Sequence, residues 1–143
     1  MKKQIFSIAA VLFLTALLPG QGHAQTTTRA NVPFAFQAGN EEMPAGQYEV
    51  QGAQTGTGSI EELRRTDSSA VAFVLTNPAD STNKSGEAKL IFSCYHHECF
   101  LSQIWNGNGQ GRRLFESRRE KELSRGRAEN ELAMISLPLT AKP

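Results

Sequence analysis

Long apolar runs, cysteine and histidine are all scarce in this sequence of 143 residues. Beyond residue 24 no stretch approaches the ~20 apolar residues that a membrane-spanning helix needs, so we expect no transmembrane segment there. The formal net charge is only +1. This balance gives no electrostatic reason to expect nucleic acid binding or attraction to an anionic membrane surface. We find no internal repeat and no boundary between two domains, so the length predicts a single domain.

The first 24 residues have the features of an export signal. Lys2 and Lys3 form a positive start, Ile5 to Leu18 an apolar core, and small residues precede a cleavage point after Ala24. The apolar core is short for a membrane anchor, so we interpret residues 1–24 as a signal peptide. We therefore expect residues 25–143 to form one β-rich domain in the periplasm or outside the cell. Without the two lysines, 13 of the 15 basic residues remain against 14 acidic ones.

Short segments of alternating apolar and polar residues predict a protein built of β-strands. We interpret 25–30 as a polar tail and predict strands near residues 32–37, 47–51, 59–65, 70–75, 88–95, 99–105 and 132–137. The run Ala70 to Leu75, AVAFVL, is apolar on both faces, which predicts a central strand covered on both sides. We expect a mainly β fold, either an antiparallel β-sandwich or a partly open barrel of six to eight strands, with one C-terminal surface helix.

The predicted helix follows a capping box. Ser117 stands three residues before Glu120, so the serine oxygen and the glutamate can each satisfy a free amide at the helix start. The helix should run from about Arg118 to Arg125 and end at Gly126. Leu123 is its only apolar residue, which predicts a surface helix that docks by one side.

The stretch 88–105, AKLIFSCYHHECFLSQIW, is the best strand pair in the sequence. If His96 and His97 form a two-residue turn, Cys94 lies directly opposite Cys99, close enough for a disulfide. Two cysteines in an exported chain usually pair, so a structural disulfide is our first interpretation. His-His is a poor dipeptide for a tight turn, which leaves a wider loop open.

The same four residues allow other chemistry. Cys94, His96, His97 and Cys99 offer the ligand types of a zinc centre, although four ligands within one hairpin rarely surround a metal ion. Free thiols and a redox site are further alternatives, although the spacing is not that of C-x-x-C proteins. We take the metal or redox protein as our alternative hypothesis for function.

Nothing else in the sequence predicts catalysis. There is no G-x-S-x-G motif and no pair of carboxylates at a spacing that suggests acid and base roles, so we expect neither an enzyme nor a cofactor. We expect Phe100 and Trp105 to be core residues. One cluster of basic residues, interleaved with glutamates, is typical of a solvated face, with an anionic partner as the alternative. Its members are Arg112, Arg113, Arg118, Arg119, Lys121, Arg125 and Arg127.

Five motifs resemble a group of small exported bacterial proteins without an assigned function. They are VPFAF (32–36), MPAGQYEV (43–50), AFVLTN (72–77), FLSQIW (100–105) and GRRLFESRREKEL (111–123). The resemblance extends over most of the chain after the export signal. It implies an export signal and a compact β domain, and it brings no activity, cofactor or catalytic residue. Members of the group usually have other residues where this chain has CYHHEC.

We therefore expect an exported, non-catalytic β domain that binds a protein partner or an envelope component through a sheet edge or a loop face.

Overall fold

The computed structural model describes residues 27–55, 58–79, 86–125 and 132–142, without the side chains of 53–55 and 58. The predicted export segment and Gly126 lie outside these ranges. The strands are β1 (Thr28–Val32), β2 (Phe36–Ala38), β3 (Glu41–Met43), β4 (Gly46–Thr55), β5 (Gly58–Arg65), β6 (Val71–Ala79), β7 (Ala88–Tyr95), β8 (Glu98–Asn106), β9 (Gly111–Leu114), β10 (Leu132–Pro138) and β11 (Thr140–Ala141). The described helix is α1 (Arg118–Arg125).

The strands form one mostly antiparallel sheet with the order β10-β7-β8-β9-β6-β5-β4-β1-β11. Consecutive strands from β4 to β6 and from β7 to β9 are neighbours, as short turns require. The sheet ladder is not closed. However, β10 and β11 are separated only by Leu139, so one C-terminal segment contributes the strands at both ends of the order. Leu139 is buried, and its amide donates to the carbonyl of Ala88.

The β2–β3 hairpin lies off this path. It pairs with β8 through Gln37 and Phe100, and that contact is parallel. It also contacts β6. The short strand β9 pairs only with the C-terminal parts of β6 and β8. The β2–β3 hairpin packs between the N-terminal parts of the same two strands. Gly39 turns this hairpin at a φ of 63°, a conformation that favours glycine.

The inner face of the sheet holds the main core. Its aromatic centre is a set of edge-to-face contacts: Phe92 meets Phe34 and Phe36, and Phe36 meets Tyr48. The aliphatic members include Val32, Val50, Leu63, Val74, Leu90 and Leu101, all buried. Alternation along each strand places these residues on one side of the sheet.

The predicted fold class is confirmed: the chain is mostly strand with one surface helix near the C-terminus. The structure has eleven strands where six to eight were expected. Part of the difference is that β2, β3 and β11 have only two or three residues each, too short for a periodic pattern to show.

Three strands differ in detail from the expectation. β1 begins at Thr28, inside the segment interpreted as a tail, and ends before Pro33, so the predicted first strand is split. In β5 the inward residues are Ser59, Glu61 and Leu63, as their burial shows. β6 is central, but only one of its faces is covered, so the prediction of cover on both sides was wrong.

Candidate functional site

The hairpin of β7 and β8 has the register that the sequence predicts. Tyr95 pairs with Glu98, and Cys94 pairs with Cys99. His96 and His97 alone form the turn, so the wider loop is not needed. His96 has a φ of 56°, a left-handed conformation that is uncommon outside glycine, asparagine and aspartate.

Cys94 and Cys99 are bonded, with a Cα–Cα distance of 4.0 Å. Their sulfurs are therefore not thiolates, and in this oxidised form the four residues 94, 96, 97 and 99 cannot act together as zinc ligands. Among the described residues, no group of three or more His, Cys, Asp or Glu side chains is arranged to hold a metal ion. The structure thus brings the two cysteines together and leaves both histidines exposed at the turn.

A small cavity lies beside this turn. It measures about 100 Å³ and is lined by Ala35, Phe36, Gln37, Glu42, His97, Glu98 and Cys99. Pockets for small organic ligands are usually ~300 Å³ or larger. The cavity is large enough for a few waters and too small for most organic substrates.

Helix α1 begins with the predicted capping box. The Glu120 amide donates to Ser117 Oγ at 3.1 Å, and the Glu120 carboxylate accepts a hydrogen bond from the Ser117 amide. Lys121 continues the first turn by donating its amide to the Ser117 carbonyl at 3.0 Å. The helix begins where the sequence predicts it because these contacts satisfy its first free amides.

Glu120 also attaches the helix to the sheet. It is buried, and its Oε1 accepts a hydrogen bond from Tyr95 Oη at 3.4 Å. Burial, assisted by the nearby Glu116, raises the pKa of the Glu120 carboxyl to about 7. The sequence predicted a surface helix that docks by one side. The buried residue of the helix is this glutamate, and Leu123, three residues later, is half-buried.

The outer face of β7 and β8 carries a second group of buried aromatic residues. Tyr95 and Phe100 meet edge to face at 5.6 Å between ring centroids. Trp105 is 2% exposed and packs over Gly111, where a Cβ would lie 2.7 Å from three of its ring carbons. Its Nε1 donates to Gln103 Oε1 at 2.9 Å. The predicted burial of Phe100 and Trp105 is confirmed, although they belong to this outer group and not to the main core.

An exposed ion pair joins the helix to the hairpin tip. Arg119 Nε donates to Glu98 Oε2 at 3.1 Å, and the second guanidinium nitrogen binds Glu98 Oε1. The hydrogen-bonded guanidinium lowers the pKa of the Glu98 carboxyl.

A cluster of buried polar side chains occupies the inner face near the start of β5. Ser59 Oγ lies 2.7 Å from Thr76 Oγ1, which in turn reaches the Ser59 carbonyl at 3.2 Å. Glu61 is 7% exposed; burial raises the pKa of its carboxyl, and the positive charge of Arg112 opposes that shift. This cluster was not predicted, because the spacing of Ile60 and Leu63 obscured the alternation that turns Ser59 and Glu61 inward.

The outer face of β6 carries the largest apolar exposure of the described residues. Phe73 and Leu75 are each 62% exposed, and Phe115 is 57% exposed. Leu75 pairs with the half-buried Ile60 on β5. Leu114 pairs with Thr76 in an antiparallel ladder, so the next residue, Phe115, continues toward Leu75. We call Phe73, Leu75 and Phe115 the outer patch. No sequence signal separates an exposed apolar strand face from a covered one, which is why the patch was missed.

No family model, curated protein or solved structure matches this chain. Within the described part of the chain, no helix has the length and apolar character required to cross a bilayer.

Proposed function

We propose that this protein is an exported β domain without catalytic activity, and that it acts by binding a partner through the outer patch. The observation that carries the proposal is the exposure of Phe73 and Leu75, 62% each, on a strand in the middle of the sheet. In an antiparallel sheet with one face in solvent, the side chains on that face are normally polar. Contiguous apolar patches on soluble proteins commonly mark interaction sites.

The arrangement of the buried polar groups supports a binding role over catalysis. Glu120 is engaged with Ser117 and Tyr95 at the helix start, and Ser59 and Thr76 bond each other. An active site needs several such groups to converge on a cavity that a substrate can enter. The cavity beside the hairpin is about 100 Å³ and is lined by neither pair.

The test is site-specific photo-crosslinking in cells that produce the protein. A photoreactive phenylalanine analogue replaces Phe73 in one variant and the exposed Gln47, on β4, in a matched control. We expect a discrete adduct from position 73 only. The substitution Leu75→Thr in the same chain should lower the adduct yield at least fivefold, whereas Met134→Thr on β10 should leave it unchanged.

The same scatter of products from positions 73 and 47, or an adduct at 73 that does not depend on Leu75, would overturn the proposal. Export itself is tested by the N-terminal sequence of the recovered protein. We expect the mature chain to start at Gln25.

A further inference from the structure

The basic residues of the described chain fall into two groups. Most of those outside the segment 112–125 are paired with carboxylates. Arg29 and Lys142 both bind Glu49, and Arg64 binds Glu62. In contrast, four exposed cations make no ion pair with any described residue: Arg113, Arg118, Lys121 and Arg125.

These four cations, which we call the basic ridge, follow one another from β9 into α1. Six basic residues and three glutamates occupy the segment 112–125, and one of the glutamates is the buried Glu120. Glu116 and Glu122 lie exposed among the cations and reduce the local positive charge without cancelling it. A net charge near zero for the whole chain therefore hides a locally positive surface.

The basic ridge starts next to the outer patch. Arg113 pairs with Asn77, which is two residues beyond Leu75 on the outward side of β6. Phe115 lies between Arg113 and Arg118 in the chain. The surface therefore combines exposed apolar side chains with adjacent cations that have no ion pair among the described residues, and the occupant that complements it is both apolar and anionic.

The dimensions of the patch argue against a second copy of this chain. Three side chains of about 200 Å² each, exposed by 57–62%, offer roughly 350 Å². A stable dimer usually buries about 800 Å² per partner. A second copy would also bring another basic ridge toward the first, and the like charges would repel.

The shape of the patch favours a surface over a peptide. Peptide and protein partners are usually anchored in pockets that enclose their side chains. Phe73, Leu75 and Phe115 are instead 57–62% exposed, as apolar anchors are before they enter the boundary between headgroups and acyl chains. Nearby arginine and lysine side chains can then reach anionic headgroups.

We propose that the outer patch and the basic ridge together dock this protein on an anionic lipid surface. The proposal rests on the proposed function, because it names the partner of the same patch. The outer patch inserts at the lipid interface, and the basic ridge contacts the headgroups. No transmembrane segment is involved.

The experiment measures flotation of the purified protein with lipid vesicles. Vesicles containing phosphatidylglycerol in phosphatidylcholine are compared with vesicles of phosphatidylcholine alone. We expect binding to the anionic vesicles only, and a loss of binding in high salt because exposed charges are screened.

Two pairs of variants localise the binding. Phe73→Thr with Leu75→Thr should weaken it at least tenfold, whereas Leu132→Thr with Met134→Thr, which removes exposed apolar residues from β10, should leave it within twofold.

Arg113→Gln with Lys121→Gln should weaken binding about fivefold per charge. Arg29→Gln with Lys142→Gln lowers the net charge equally and should change it less than twofold.

Equal binding to neutral vesicles, no binding at all, or equal losses in the target and control variants would overturn the lipid proposal. Crosslinking separates this failure from failure of the proposed function. If position 73 gives a discrete adduct with a protein while vesicles do not bind, the patch has a partner and that partner is an acidic protein.

Discussion

On its outer side the sheet is contacted by α1 at the tip of the β7–β8 hairpin, whereas over β6 it is open to solvent. Both regions carry large apolar side chains. On the outer face of β7 and β8 Trp105 and Phe100 are each 2% exposed, and on the open side Phe73 is 62% exposed. The difference lies in what packs on each side. Phe100 meets Tyr95, whose hydroxyl binds Glu120 of α1, and Trp105 packs over Gly111, whereas Phe73 lies open to solvent.

The largest expected effect comes from the two aromatic residues that define these regions. Trp105→Ala should lower the free energy of unfolding by about 3–5 kcal/mol, because it removes a large buried side chain and leaves a cavity. Phe73→Ala should change it by no more than about 0.5 kcal/mol, because the ring is mostly in water. Urea denaturation of the purified variants measures both values. A cost for Phe73→Ala similar to that for Trp105→Ala would mean that the outer patch is packed in solution, and the comparison would fail.

The second prediction concerns Glu120, through which α1 is attached to the sheet. The pKa of Glu120 is raised from its usual 4.5 to about 7 in the folded protein. The folded state therefore binds this proton more tightly than the unfolded state does, so the contribution of Glu120 to stability is fully present below pH 4.5 and is lost as the pH rises through about 7. We expect a loss of about 2–3 kcal/mol across this window, measured by urea denaturation at several pH values.

Glu120→Gln should reduce this slope, leaving the part that the buried Glu61 contributes in the same direction, and make the protein more stable than the parent at pH 8. Glu98→Gln is the control at the other carboxylate near α1. Its lowered pKa places its titration below pH 4.5, so the slope above that value should persist. A parent protein whose stability rises between pH 4.5 and 7 would contradict the burial of Glu120 as a neutral acid.

The smallest of the three effects concerns the disulfide at the tip of the β7–β8 hairpin, where α1 is attached. Replacing both cysteines, Cys94→Ser with Cys99→Ser, should cost about 2 kcal/mol, because the disulfide closes a loop of only a few residues. The denatured parent protein should gain the mass of two hydrogens on reduction. If reduction leaves the mass unchanged, or if the parent binds zinc and the serine variant does not, the metal hypothesis for Cys94, His96, His97 and Cys99 would be revived.

Features set by neighbouring residues could be predicted from the sequence, and features set by distant ones could not. The pairing of Cys94 with Cys99 follows from a two-residue turn, and the start of α1 follows from Ser117 and Glu120. The exposure of Phe73 and the burial of Glu120 depend on which segment passes over which strand. Glu120 is buried beside Tyr95, which stands 25 residues earlier in the chain, and Phe73 lies on a strand face that is open to solvent. Local periodicity contains neither fact.

The candidate site illustrates the same limit. The basic cluster was visible as a composition, but the position of Glu98 was needed to show that Arg119 is paired while Arg113, Arg118, Lys121 and Arg125 have no ion pair among the described residues. The outer patch was visible as AVAFVL, and only the sheet order shows that nothing in the described chain covers its outward side.

The placement of the last strands has a consequence for how the chain folds. Arg29 pairs with Thr140, a separation of 111 residues, and Leu132 to Pro138 complete the edge beside β7. Contacts so distant along the chain are slow to form, because a long loop must close before they contribute any stability. β1, the first strand, acquires its outer neighbour only when residue 140 is present. A nascent chain thus keeps an unpaired edge on both β1 and β7, and residues 132–141 complete the sheet on both sides at once.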